Sequence, residues 1–356
     1  MACAPRVAHN HRILSPAPIR PSKNPPTLEA TDARLNRIVR LLTNNATVVV
    51  SGTKIAAELG ASRSEVWRLI RALRENGVAI AGHPSIGYQL EATPDLLLPG
   101  ILAPLLAGTM FADQVHHYFR AGSTNALALD AGSAGAPEGS VFLTEEQTAG
   151  RGRGGHTWHS ARADGIYCSV LLRPQLPPTQ VLLVALAVGL AVRSAVLEVA
   201  GLDADLKWPN DLLLGNKKFC GILTEMHSEA TRVRHVVIGI GLNVNQKSFP
   251  EDIREQATSL YLESRTPCSR VELAGALLKS LDREYRVLVK EPEARESILH
   301  RFQEHSSWTN GCAVRIEDEE SFTGTTEGLD AQGFLQVRTP RGLRTVISGT
   351  VRRNKP

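Results

Sequence analysis

The densest chemistry in the chain lies in the run Gln147-Thr148-Ala149-Gly150-Arg151-Gly152-Arg153-Gly154-Gly155-His156-Thr157-Trp158. Glycine lets a backbone turn through positive φ and approach a ligand closely. Arginine brings a planar, permanently charged fork that matches a phosphate or a carboxylate. Alternated, the two make a loop that can wrap an anion, with backbone N–H groups facing inward and guanidiniums closing over it. The run does not open a helix as a dinucleotide-binding G-x-G-x-x-G does, and it lacks the Lys-Ser/Thr of a P-loop. An RG-rich, RNA-binding tail is the competing reading. Against it, the run is single, lies between apolar strand-like segments and ends at Trp158.

Three smaller groups accompany this loop. Ser123-Thr124-Asn125 opens a helix. Its polar atoms serve either as an N-cap or as a site for an anion or a urea-like group at the helix N-terminus. Lys207-Trp208-Pro209-Asn210-Asp211 is a strand end meeting a rigid turn, because Pro209 fixes φ and cannot continue a ladder. Lys218 starts the apolar strand Phe219 to Glu225, so its ammonium either enters a site or stands at a hairpin edge in water. The segment Gly239 to Asn245 is a Gly-rich strand end. Gly241 allows a close approach there, and Asn243 is placed to bond what approaches.

These groups need a scaffold, and hydrophobic periodicity supplies one. Strands are expected at Val115–Phe119, Val141–Thr144 (which delivers the Gly150 loop), Gly165–Leu172 and Phe219–Glu225, with a strand end and turn in Leu206–Leu214 and an apolar, Gly-rich segment at His235–Asn245. A buried helix follows Pro177-Pro178-Thr179 from about Val181, and amphipathic helices span Val271–Lys290 and Glu293–His305. From Asn310 the pattern changes to short strands, Cys312–Ile316, Ser321–Thr325, Phe334–Thr339 and Arg344–Val351, with glycine turns between them. That spacing predicts a small β-barrel.

Ahead of this scaffold, Leu35, Ile38, Val39 and Leu42 make one helical stripe. Ser51-Gly52-Thr53 caps a second helix, Gly60-Ala61-Ser62 makes a tight turn, and a third helix runs from Arg63 to Asn76. Strands Val78–Ile80 and Gly87–Leu90 flank a turn at His83–Ile86. Helix, glycine turn, helix and wing together predict a winged helix-turn-helix that binds DNA through Ser62, Arg63, Ser64, Trp67, Arg68 and Arg71, with Arg74 on the same helix. A small helical bundle with a solvated arginine face is the alternative. The Pro-, Arg- and His-rich residues 1–31 read as a disordered tail, with a transit peptide as the second reading.

At 42% hydrophobic and 21% charged residues, the composition is that of an ordinary globular protein. A net charge of +4 permits a nucleic-acid or nucleotide partner without demanding one. Five scattered cysteines, Cys3, Cys168, Cys220, Cys268 and Cys312, contain no C-x-x-C pair. Neither a disulfide framework nor a protein-built metal site is expected, and the natural location is the cytoplasm. The longest apolar run, Val181 to Val192, is shorter than the ~20 residues of a membrane span, so no membrane partner is expected.

Taken together, the motifs resemble those of the biotin protein ligases, and the N-terminal module resembles that of the bifunctional members that repress biotin operons. The carriers are Ser123-Thr124-Asn125, the Gln147–Gly155 run, Lys207–Asp211, Lys218 with Gly221-Ile222-Leu223, and Gly239–Asn245, over about Leu35 to Arg352. The resemblance implies an α+β multidomain chain: a disordered tail (1–31), a winged helix-turn-helix (32–92), a mixed-sheet α/β catalytic domain of class II synthetase-like type (93–308) and an SH3-like β-barrel (309–356). It implies ATP and biotin as substrates, Mg²⁺, a biotin carboxyl carrier protein of acetyl-CoA carboxylase as acceptor, operator DNA and a homodimer.

Residue by residue, Ser123, Thr124, Asn125 and Gln147 would line the biotin pocket, and Gly150, Arg151, Gly152, Arg153 and Trp158 would fold over biotin and adenylate. Lys218 would bind the carboxylate end, Asp211 would orient the incoming lysine and Asn243 the adenylate. Arg153, Lys218 and Asp211 are the expected catalytic residues, with no protein metal ligand. Gly154 departs from the pattern, standing where some members carry a third arginine. Three alternatives stay open: a lipoate or octanoate ligase of the same ancestry, a ligand-sensing transcription factor without ligase chemistry, and a ligase whose N-terminal module is structural.

Overall fold

Three apolar stripes build the N-terminal module. Helix α1 (Leu28–Thr43) buries Leu35, Ile38, Val39 and Leu42. Helix α2 (Gly52–Leu59) is capped by Ser51, whose Oγ accepts from Lys54 N, and ends at Gly60 in the left-handed conformation. Helix α3 (Arg63–Glu75) is capped by Ser62 and closes the core with Val66, Leu69, Ile70 and Leu73. Strands β1 (Ile80–His83) and β2 (Gly87–Leu90) pair antiparallel as the wing. A Cβ at Gly87 would lie 2.1 Å from the Val50 carbonyl oxygen, so only glycine lets the wing dock there. The structure, a computed structural model, describes residues 28–92, 94–229, 232–290, 294–317 and 320–354. The expected tail falls outside these residues up to position 27. Its boundary at 31 is corrected, because α1 already begins at Leu28. The first wing strand begins at Ile80 rather than Val78, since the Val78 N–H is spent on the Leu73 carbonyl at the end of α3.

The central domain opens with helix α4 (Pro99–Leu106), strand β3 (Val115–Tyr118), helix α5 (Thr124–Ser133), and strands β4 (Val141–Thr144) and β5 (Gly165–Leu172). Helix α6 (Leu182–Ala200), strands β6 (Asp205–Lys207), β7 (Asp211–Leu214), β8 (Lys217–Ser228) and β9 (Val233–Asn243), and helices α7 (Leu260–Ser264), α8 (Arg270–Lys290) and α9 (Ala294–Glu304) complete it. The seven strands form one mixed sheet in the order β3-β4-β5-β9-β8-β7-β6, in which β3 and β4 are parallel and the other pairs antiparallel.

Alternation along the strands assigns the two faces. Val141 and Leu143 join the main core with α6 and α8, while Phe142 turns to Ala128 of α5, Leu171 and Val237. Helix α6 with the turn before it, Pro178–Ala200, is long and apolar enough to cross a membrane, against the expectation from its shorter uninterrupted run, yet 72% of its most apolar window is buried inside the protein. It is the core helix of this domain, contributing Leu183, Leu186 and Leu190 among others.

The C-terminal unit is a five-stranded antiparallel sheet: β10 (Asn310–Glu317), β11 (Phe322–Leu329), β12 (Leu335–Thr339), β13 (Gly342–Val346) and β14 (Thr350–Arg353), ordered β13-β12-β11-β10-β14. The single strand expected at Arg344–Val351 is two strands, on opposite edges of the sheet, separated at Gly349 with φ +133°. Trp208, 1% exposed, fastens this sheet to the central domain by donating from Nε1 to the Gly333 carbonyl at 2.9 Å.

A buried polar relay joins the N-terminal module to the central domain. His117 on β3 faces Asn36 Oδ1 of α1 at 3.2 Å and Glu145 Oε1 at 3.0 Å. Glu145 Oε2 accepts from Arg270 at 2.7 Å, and Oε1 also accepts from the Leu97 amide. Burial alone would raise the Glu145 carboxyl, but the His117 hydrogen bond and the charges of Arg270 and His117 outweigh it and hold the group at about 2. Glu145 stands two residues before Gln147, so this relay fixes the base of the glycine-arginine loop.

Candidate functional site

The sheet brings the separate motifs to one cleft. Ser123, Thr124, Asn125, Gln147, Arg151, Gly152, Arg153, Trp158 and Lys218 all line it, together with Cys168, Asn210, Gly221, Ile222, Leu223, Gly239, Ile240 and Gly241. The floor is made by glycines on paired strands. Gly221 of β8 stands opposite Gly241 of β9, and the Trp158 indole covers both. A Cβ at Gly241 would lie 2.4 Å from Trp158 Cε2, and one at Gly221 would lie 2.9 Å from Trp158 Cζ3 and from Lys218 Nζ. With the indole seated there, the cleft holds about 40 Å³ of free space, room for roughly three waters. The indole N–H is buried and has no hydrogen-bond partner among the described residues.

At the head of the cleft, Ser123 occupies the N-cap position of α5 but makes no side-chain cap bond, so its residues are not spent on capping. Gln147 Oε1 accepts from Thr124 N at 2.9 Å and from Thr124 Oγ1 at 3.2 Å, and its Nε2 donates to Ser160 Oγ at 2.9 Å. Asn125 is held on both sides of its amide: Nδ2 donates to Glu225 Oε2 at 2.7 Å, and Oδ1 lies 2.5 Å from Ser169 Oγ. Ser169 also donates to Thr124 Oγ1 at 2.7 Å. Ser169 and Glu225 were missed from sequence, because a lone serine inside an apolar strand and a carboxylate on a strand carry no motif. The remaining signal was polarity at buried strand positions, since a buried hydroxyl needs a partner.

The other end of the cleft is charged. Lys218 Nζ lies 2.6 Å from Asp211 Oδ1 and 5.3 Å from the centre of the Trp158 ring. The turn at 208–210 places Asp211 opposite Lys207. Burial lowers the Lys207 ammonium's pKa, with Asp211 pulling the other way, and its Nζ stacks 4.8 Å from the Trp308 ring. The loop is closed at Gly150, whose carbonyl accepts from Trp158 N at 3.0 Å. Gly154 takes φ +65° in the short 3₁₀ turn Arg153–Gly155, a conformation that glycine adopts freely. Arg153 Nη1 donates to the Gly349 carbonyl at 3.0 Å, which ties the loop to the C-terminal sheet.

Gly150, Asp211 and Asn243 are the expected residues that do not line the cleft, and of these the assignment of Asn243 is corrected. Buried at the end of β9, it donates to the Thr258 carbonyl at 3.0 Å and does not line the cleft. It supports the cleft from behind, since Thr258 N bonds the Lys218 carbonyl. Nothing in the cleft resembles a protein-built metal centre: among the described residues no group of three or more His, Cys, Asp or Glu converges.

A second surface lies on α3. Ser62 Oγ caps the helix through Glu65 N and touches Ser64 Oγ at 2.9 Å. Arg63, Trp67, Arg68 and Arg71 face solvent, with Trp67 57% exposed. Arg71 is steadied by Glu75 at 2.9 Å and Arg68 lies 3.6 Å from Glu65. Arg74 leaves this face: its Nε and Nη2 both donate to the Ile80 carbonyl, binding helix to wing.

Residues 119–243 match the biotin/lipoate A/B protein ligase family, residues 34–89 a helix-turn-helix domain family, and residues 311–352 the biotin protein ligase C-terminal domain family. The chain is 33% identical over 316 residues to the bifunctional ligase/repressor BirA of Bacillus spizizenii, covering 88% of this chain and 97% of the relative. It is 35% identical over 233 residues to a biotin–[acetyl-CoA-carboxylase] ligase of Mycobacterium tuberculosis, 64% of this chain and 83% of the relative. Among solved structures, biotin protein ligase from Aquifex aeolicus in complex with biotin and ATP superposes with a TM-score of 0.60 at 27% identity, over 68% of this chain and 99% of that one. A relative one-third identical along nearly its whole length, and three family matches in the same order as the three folded units, show that this chain belongs to the biotin protein ligase family.

Proposed function

We propose that the chain is an ATP-dependent ligase that activates biotin as biotinyl-5′-AMP and transfers it to a lysine of a biotin carboxyl carrier protein, and that its helix-turn-helix module makes it a biotin-responsive repressor. The observation that carries the ligase reading is the convergence of an amide–hydroxyl head (Thr124, Gln147), a glycine floor and Lys218 in one narrow cleft under a two-arginine loop, with Ser169 bonded to Thr124 and Asp211 paired to Lys218. A ureido ring has donors and acceptors for the head, and an aliphatic chain suits the apolar face of the Trp158 indole seated on the glycine floor. The acid's carboxylate then reaches Lys218.

In the first step a carboxylate oxygen attacks the α-phosphorus of ATP and pyrophosphate leaves. Two anions must meet, so Lys218, Arg151 and Arg153 act by neutralising charge that concentrates in the transition state. In the second step the acceptor lysine's amine attacks the acyl carbon and AMP leaves. Asp211, paired with Lys218, would orient that amine. Covering the anhydride with the Gly150 loop excludes water. Mg²⁺ would be held mainly by the ATP phosphates and would lower their charge, with no ligand required from the protein. Incubation with biotin, ATP and a biotin carboxyl carrier domain should add one biotinyl group to one lysine of that domain by mass spectrometry. An unmodified domain would refute the assignment.

The class II synthetase-like and SH3-like descriptions of the two ligase units belong to this reading, as does a cytoplasmic location. So does a homodimer formed through sheet edges. Beyond Ile222 the outer side of β8 carries no paired strand among the described residues, and Met226 is 46% exposed there. A second copy extending that edge would set two α3 helices on two DNA half-sites. Sedimentation with biotin and ATP should show a doubled mass. An unchanged mass would exclude ligand-driven pairing.

A further inference from the structure

We infer that Arg162 couples the acid-binding cleft to the DNA-reading helix within one protomer, an inference that rests on the proposed ligand site. Arg162 stands just past the glycine-arginine loop, between two anchored neighbours. The Ala161 carbonyl accepts from Tyr167 Oη at 2.7 Å, and Ala163 N, at a residue with φ +58°, donates to the Glu145 carbonyl at 2.9 Å. Held this way, the Arg162 guanidinium reaches across to the C-terminus of α3. There its Nη2 donates to the Glu75 carbonyl at 2.9 Å and to Asn76 Oδ1. A cation at a helix C-terminus is in the favourable end of the helix dipole.

Both ends of this contact meet functional groups. On the helix side, Glu75 also holds Arg71 through its carboxylate, so the residue that Arg162 touches orients an arginine of the DNA face. On the cleft side, the path is short and tight. Gln147, which holds Thr124, donates to Ser160 Oγ, and Ser160 is two residues before Arg162. A Cβ at Gly150 would lie 3.0 Å from both Gln147 Nε2 and Ser160 Oγ, so only a glycine lets the loop pack beside this pair. A polar ligand group that draws Gln147 Nε2 away from Ser160 loosens the segment that carries Arg162, and one that takes the second Nε2 hydrogen leaves that bond in place and holds the segment. Coupling of this kind is reciprocal: occupancy of the cleft alters the DNA face by the factor with which DNA alters acid binding. Arg162 is exposed and outside the cleft lining, so its role is positioning.

Hydrogen exchange read by mass spectrometry on the full chain, with and without biotin plus ATP, tests this. In the wild type, ligand should slow exchange both in the loop peptide 147–158 and at the end of α3, residues 69–78, the latter by at least about fivefold, the low end of ordinary coupling. In Arg162→Ala the loop should still be protected, while the α3 peptide exchanges faster at rest and ceases to respond. Arg162→Lys, which keeps the charge at the helix end, should recover part of the response. An α3 response in Arg162→Ala equal to the wild type, or a silent α3 beside a protected loop in the wild type, would overturn the inference. No protection of either peptide would overturn the acid-binding reading and this inference with it.

Discussion

Gly221 and Gly241 face each other across β8 and β9, and together they form the only kind of floor on which the Trp158 indole can lie flat. Any side chain at either position would occupy the space of the indole. Gly241→Ala puts a methyl 2.4 Å from Trp158 Cε2, so the ring, and the loop that ends at it, must lift. A displacement near 1 Å in a positioned site costs on the order of 10²-fold in rate. Steady-state adenylation kinetics of Gly241→Ala should show a loss of that size with unfolding temperature little changed. Wild-type kinetics would mean that the floor is unimportant.

Lys218 and Asp211 make opposite predictions for the two half-reactions. Lys218→Ala removes charge from the carboxylate end, and adenylate formation should fall by on the order of 10²-fold to 10³-fold. Asp211→Asn should form the adenylate but transfer it slowly, because the orienting carboxylate is lost while Lys218 is freed from its partner. Separate single-turnover assays of adenylation and transfer check this. Equal losses in both steps for Asp211→Asn would contradict its assigned role.

Arg153 bridges the loop to the Gly349 carbonyl. Arg153→Ala should leave biotin recognition at the Thr124–Gln147 head largely intact but release the adenylate into solution, where it hydrolyses. Chromatography of the reaction mixture should find free biotinyl-adenylate. Retention equal to the wild type would show that the loop does not act as a lid.

Glu145 gives the molecule an acid-sensitive joint between the N-terminal module and the central domain. Its carboxyl is held at about 2 against an ordinary 4.5. A depressed carboxylate contributes stability that is complete above the ordinary value and is lost as pH falls toward the depressed one. Urea midpoints should therefore drop between pH 4.5 and about 2 in the wild type. In Glu145→Gln the midpoint should start lower, by about 3 kcal/mol of stability as expected for breaking a buried ion pair, and should fall less steeply with acid. Parallel curves for the two proteins would remove Glu145 from the account.

On α3, Arg71 and Arg74 separate a contact with DNA from a contact within the protein. Arg71→Ala should weaken binding to a selected DNA fragment and reduce its salt slope by about one. Arg74→Ala breaks the tie to the Ile80 carbonyl, so it should lower the thermal stability of the module as well as DNA affinity. Identical salt slopes for wild type and Arg71→Ala would take that side chain off the phosphate path.

Much of this was legible in the sequence because it is written in local chemistry. Ser51, Gly60 and Ser62 are capping residues placed at the ends of apolar stripes, and helices α2 and α3 follow directly from them. Val141–Thr144 and Gly165–Leu172 are short apolar runs bounded by turns, and both are strands with those limits. What was not legible depends on partners far apart in the chain. Asn243 reads like a ligand-binding amide, but its donor is taken by Thr258, which reaches it through α7's approach loop. Arg74 resembles its neighbours on α3 until the wing folds back and supplies the Ile80 carbonyl. Ser169, Glu225 and the His117–Glu145–Arg270 relay are single polar residues whose meaning comes only from burial. The split of Arg344–Val351 into two edge strands follows from the turn at Gly349, which a continuous apolar pattern hides.

The central claim is that the cleft activates biotin with ATP. Isotopic exchange between pyrophosphate and ATP by the purified full-length chain tests it most directly, with biotin, lipoate and octanoate supplied in parallel. Exchange that requires biotin is the predicted result. Exchange driven by lipoate or octanoate instead would contradict the assignment of the Thr124–Gln147 head to a ureido ring, and exchange with none of the three acids would contradict the ligase itself.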